Sequence, residues 1–82
     1  MKTNEFENLE MNEKVAMLFA QGTELLERIY MYYIVKLYSL DNLYIEIWYH
    51  QTLHRIDKVF VVELDDVIHL YEKQINISDL FS

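Results

Sequence analysis

The side chains with the most obvious chemical capacity are His50 and His54, which stand four residues apart. On one helical face that spacing would suit two metal ligands, with Asp57 and Glu46 available to complete a set. The two histidines fall instead at the end of an extended segment and in the connection after it. There the spacing does not bring their rings together, and solvated histidines beside a turn is the simpler reading. Glu63, Asp65 and Asp66 form a second candidate, a carboxylate cluster. Acid–base work by paired carboxylates needs a cleft that drives their pKa values apart. A strand-to-helix junction explains the same residues by capping and by complementing the positive end of the helix dipole. His69 lies within an apolar helical stripe and reads as a partly buried packing residue. Ser39, Ser78, Ser82, Thr3, Thr23 and Thr52 lack the flanking glycines of a nucleophile elbow. The expectation is therefore not an enzyme, with no catalytic residue, no metal and no cofactor.

Tyrosine is the stronger signal. The 82 residues contain seven Tyr and one Trp, and six of those Tyr with Trp48 lie between Arg28 and His50. Aromatic side chains that carry both area and a polar handle are enriched at protein interfaces. Tyr30, Tyr32, Tyr38, Tyr44 and Trp48 all occupy even positions of two extended segments, and they are the candidate interface. The competing expectation is that a C-terminal helix covers them within the monomer.

The elements that must position these residues follow from periodicity. Met11, Val15, Leu18 and Phe19 recur at helical spacing and predict a helix over about Leu9–Gln21, with Asn8 as N-cap and Gly22 in a left-handed C′ position. Arg28–Leu40 is rich in aromatic and β-branched residues and predicts a strand. Leu43–His50 predicts a second, with Asp41-Asn42 at the turn. Both strands carry their apolar sets at odd positions, so an odd connection of three or five residues is expected, pairing Leu40 with Tyr44. A two-residue loop would put Lys36 on the face of Ile47. Arg55–Glu63 predicts a third strand, its facing reconciled by a bulge near Asp57-Lys58. From Leu64 the stripe Val67, Ile68, Leu70, Tyr71 and Ile75 predicts a helix with Asp65 as N-cap, the alternative being a fourth strand over Val67–Tyr71. Ile77, Leu80 and Phe81 predict a packed C-terminal tail.

The expected fold is one small α+β domain over residues 1–82: N-terminal helix, three-stranded antiparallel meander, C-terminal helix. The run from Leu25 to Phe81 resembles short bacterial proteins of unknown function. Y-I-E-I-W-Y-H (44–50) and R-I-D-K-V-F-V-V-E (55–63) carry the resemblance. These are strand-and-turn patterns, so the likeness implies no activity and carries over no functional residue.

Composition narrows the function classes. No Cys means no disulfide framework and no thiolate chemistry, and a single Gly excludes Walker and dinucleotide-binding loops. The net charge of −7 is concentrated at the two ends of the chain, with Arg28, Lys36, Arg55 and Lys58 in its middle. An acidic surface repels nucleic acid and anionic lipid. No stretch free of charge and histidine, Ile29–Val35 among them, comes near the roughly 20 residues of a membrane span. The acidic residues that follow Met1-Lys2 do not form a signal peptide, so the expected compartment is cytoplasmic. The expected function is a small protein-interaction module that forms a homodimer or binds another protein through the aromatic sheet face. The alternative is an acidic decoy that imitates nucleic acid for a basic partner, with a metal-dependent enzyme behind it.

Overall fold

The computed structural model describes residues 1–72. Two helices, α1 (Thr3–Glu7) and α2 (Met11–Gln21), precede four strands, β1 (Thr23–Tyr30), β2 (Tyr33–Leu40), β3 (Leu43–His50) and β4 (Arg55–Val62). Helix α3 (Leu64–Glu72) follows, so the packing expected of Ile75, Ile77, Leu80 and Phe81 lies outside the described residues. The fold is α+β, with an antiparallel sheet in the order β1-β2-β3-β4. No helix among the described residues is long and apolar enough to cross a membrane.

The sheet has four strands where three were expected, because the Arg28–Leu40 run is two strands. The chain reverses at Met31-Tyr32, pairing Tyr30 with Tyr33. Neither residue is a turn former, and Met31 takes φ 54, a left-handed conformation that a bulky side chain rarely adopts. The fourth strand therefore arises before Leu40, and Val67–Tyr71 is helical.

The β2–β3 connection also departs from expectation. It is the two-residue loop Asp41-Asn42, with Leu40 opposite Leu43 and Asp41 at φ 57. Positive φ at the head of such a loop matches the right-handed twist of the strands it joins. Lys36 consequently shares a face with Ile47. Its stem can lie along that apolar face because its ammonium reaches Glu24 at 2.8 Å. The apolar parity of the strands was thus a poor guide to facing, since both sheet faces are covered by helices. The bulge in β4 is present, with Trp48 opposite Lys58 and Tyr49 opposite Ile56, which leaves Asp57 as the extra residue.

Face A is covered by α1 and α2 over Tyr38, Leu40, Leu43, Ile45, Ile47 and Val59, with Phe6 and Leu18 fully buried against them. Face B carries Val35 and Leu37 under Tyr71 of α3. Helix α2 begins two residues later than expected. Asn8 closes α1, and Glu10 N-caps α2 through a capping box with Glu13. Gly22 is extended (φ −82) rather than left-handed. What demands glycine there is proximity, because a Cβ would stand 2.7 Å from the Leu18 carbonyl oxygen and 3.3 Å from that of Ser39. The outer edge of β4 is closed by side chains. The Glu7 carboxylate accepts the Val61 N–H at 2.7 Å, and the Lys14 ammonium donates to the Val59 carbonyl at 3.5 Å.

Candidate functional site

Face B concentrates the aromatic residues around a buried polar centre. Successive cross-strand rows place Tyr30, Tyr33 and His50 together, then Arg28, Val35, Trp48 and Lys58, then Leu26, Leu37, Glu46 and Phe60. Glu46 is 2% exposed and is satisfied by three donors. The Tyr71 hydroxyl donates to Oε2 at 2.8 Å, the Trp48 indole to Oε1 at 3.1 Å, and an Arg28 terminal nitrogen to Oε2 at 3.4 Å. The Arg28 guanidinium, 7% exposed, packs against three rings at 5.3 Å (Trp48), 5.3 Å (Tyr71) and 6.0 Å (Tyr30). Its Nε has no hydrogen-bond partner. Burial, followed by the bond to Glu46, holds the Tyr71 hydroxyl far above the usual phenol range.

Toward the β1–β2 turn the same face becomes a set of interlocked rings. Trp48 meets Tyr30 edge-on at 5.8 Å and Tyr33 edge-on at 5.3 Å. His50 lies edge-on to Tyr33 at 5.0 Å, and Tyr32 stacks on it at 6.0 Å. These separations and angles are those that aromatic quadrupoles favour. The bulged Asp57 accepts from Tyr33 Oη at 2.9 Å and from Arg55 Nε at 2.7 Å. These bonds, Tyr33's first, hold the Asp57 carboxyl below the usual range, and the same contact raises the Tyr33 hydroxyl. The Gln51 N–H donates to the Tyr32 carbonyl at 2.8 Å and pins the β1–β2 turn to the β3–β4 connection.

The five residues expected to form the interface do not share a face. Tyr30, Tyr44 and Trp48 lie on face B. Tyr32 occupies the turn, and Tyr38 is buried on face A beside Phe19. Tyr44 packs into the small core under Tyr71, and Trp48 is half-buried. The exposed members are Tyr30 at 49% and Tyr32 at 65%, joined at the same end of the sheet by Met31 at 73% and Leu53 at 51%. Sequence reasoning missed Tyr33, Arg28, Glu46 and Tyr71. A usable signal was present at Glu46, a charge set between Ile45 and Ile47.

The histidines are not assembled into a site. His50 Nδ1 accepts the Leu53 N–H at 3.1 Å, and His54 Nδ1 meets the Tyr49 hydroxyl at 3.3 Å. No group of three or more His, Asp or Glu able to hold a metal ion occurs among the described residues. His69 is exposed rather than partly buried, and Glu63, Asp65 and Asp66 are exposed at the start of α3. Comparison of the chain with known protein families, with curated proteins and with solved structures returned no match.

Proposed function

We propose that the protein is a small interaction module that pairs with a second copy of itself through the aromatic end of the sheet. The observation that carries this reading is the exposure of Tyr30, Met31, Tyr32 and Leu53 side by side at one end of the sheet. Tyr30 is braced by Trp48 and Tyr32 by His50. Rings held in place before binding lose little conformational entropy on association, which is what makes an aromatic residue an effective anchor. Contiguous apolar surface rimmed by polar groups marks an interaction site more often than scattered exposed residues do. Trp48 and Tyr44 serve here as supports behind the contact surface, and Tyr38 belongs to the core on the other face.

Sedimentation equilibrium over a micromolar concentration range tests the reading. A concentration-dependent dimer is expected, and the double variant Met31→Asp/Tyr32→Asp returns it to a monomer. A wild-type chain that stays monomeric at every concentration overturns pairing with itself.

A further inference from the structure

His50 touches two of the residues that make up the exposed end of the sheet. Its ring stacks on Tyr32 at 6.0 Å, and its Nδ1 accepts the backbone N–H of Leu53 at 3.1 Å. The bond to Leu53 folds the β3–β4 connection back onto the last residue of β3, a local side-chain-to-backbone contact that sets the shape of the loop. The same connection is fastened to the β1–β2 turn by the Gln51 N–H on the Tyr32 carbonyl. One imidazole therefore holds two exposed residues that come from different turns.

Only one protonation state of His50 makes this contact. A ring nitrogen that accepts a hydrogen bond carries no proton, so the neutral ring keeps its proton on Nε2. An imidazolium donates from both nitrogens and accepts at neither, so no rotation of the charged ring restores an acceptor to the Leu53 N–H. His54 behaves differently. Its Nδ1 meets the Tyr49 hydroxyl, which can donate to a neutral ring or accept from a charged one, and that contact survives protonation.

The groups facing His50 do not alter this outcome. Tyr33 on β2 and Tyr32 in the turn present rings to it. On β4, Arg55 stands directly opposite and Lys58 lies one row further along beside Trp48, and both repel a charged ring. Asp57 attracts it while bonded to Tyr33 and Arg55. None of these charges supplies the acceptor that Leu53 loses.

We propose that His50 is a proton-operated latch on the aromatic end of the sheet: the neutral ring holds Leu53 in place, and the imidazolium releases it and loosens the paired copies. The proposal rests on the pairing described above and names its regulation. Imidazoles change charge between about pH 5 and pH 8, so the release falls in that window. The latch is closed where the ring is neutral and opens as pH falls, so the pair is tighter at the alkaline end.

Sedimentation equilibrium between about pH 8 and about pH 5.5 reads the pairing. The wild-type dimer is expected to weaken in acid by about fivefold per protomer, the equivalent of one hydrogen bond. His50→Asn puts a carbonyl oxygen that takes up no proton in the place of Nδ1, and it keeps the acidic surface, His54 and His69. Its dimer is expected not to weaken over the same range. A second readout needs no dimer. In the isotope-labelled wild-type chain, the NMR signal of the Leu53 amide is expected to move, and its hydrogen exchange to quicken, in step with titration of the His50 ring. In His50→Asn the same amide is expected to stay still. A Leu53 amide indifferent to His50 overturns the latch, as does a dimer that holds its strength in acid or weakens equally with His50→Asn. A wild-type chain that is monomeric at every pH overturns the pairing instead, and the Leu53 amide then decides the latch alone.

Discussion

The hydroxyl of Tyr71 donates a 2.8 Å hydrogen bond to the buried carboxylate of Glu46, joining the last turn of α3 to the middle of the third strand. The same tyrosine ring packs on Arg28, so one side chain closes both halves of an ion pair against water. Tyr71→Phe removes the donor and leaves Glu46 short of one partner in a dry site. A loss of about 1.5–3 kcal/mol in unfolding free energy is expected from urea denaturation. Tyr71→Ala also opens a cavity and is expected to cost about 3–5 kcal/mol.

Arg28 and Glu46 test whether the ion pair stabilises the fold or only fits it. A buried pair is costly to desolvate, and removing one member strands the other. Arg28→Met alone is expected to destabilise by about 3–5 kcal/mol, while Arg28→Met/Glu46→Leu recovers most of that loss. Denaturation of the two single variants and the double variant, treated as a cycle, measures the difference.

Charged residues such as these mark where the sequence was and was not legible. Helix α2, strands β3 and β4, the bulge at Asp57 and helix α3 follow from local periodicity and composition, which a single chain displays. The Met31-Tyr32 reversal does not, because it uses no turn residue and is imposed by sheet pairing on both sides. The facing of β2 against β3 was misread for a related reason. Alternation reports facing only where one side meets water, and here helices lie on both faces. Tyr30 and Trp48 were visible as an aromatic cluster. The Arg28–Glu46–Tyr71 centre was not, because it joins three elements whose adjacency exists only after registers are set.

Acid and alkali should each loosen a different bond. Asp57 has a depressed pKa in the folded chain, so its contribution is complete above the unfolded value near pH 4 and disappears as pH falls through the folded value. Wild type is expected to lose stability below about pH 4 more steeply than Asp57→Asn, as read from urea midpoints. Tyr71 is raised, so its neutral form contributes fully below the unfolded value near 10 and is lost only as pH climbs through the folded value. Ultraviolet titration is expected to show Tyr71 ionising together with alkaline unfolding, and Tyr71→Phe removes that late step.

Met31 supplies a test of the first turn. Its φ of 54 suits glycine or asparagine and strains a methionine. Met31→Gly and Met31→Asn are each expected to raise stability by about 0.5–1 kcal/mol in thermal or urea unfolding. Because Met31 also belongs to the exposed end of the sheet, the same variants are expected to weaken dimerisation while strengthening the fold.

The side chains on the β4 edge have a consequence for how large any assembly can grow. A sheet that adds neighbours strand by strand becomes an open ribbon only if both of its margins accept hydrogen bonds. Glu7 occupies the Val61 amide and Lys14 the Val59 carbonyl, so this margin is already spoken for by the chain's own helices. Copies joined by strand pairing must therefore meet at the opposite margin, where a two-fold union leaves a sealed edge at each extremity. The β4 margin thus carries a built-in terminator against growth strand by strand.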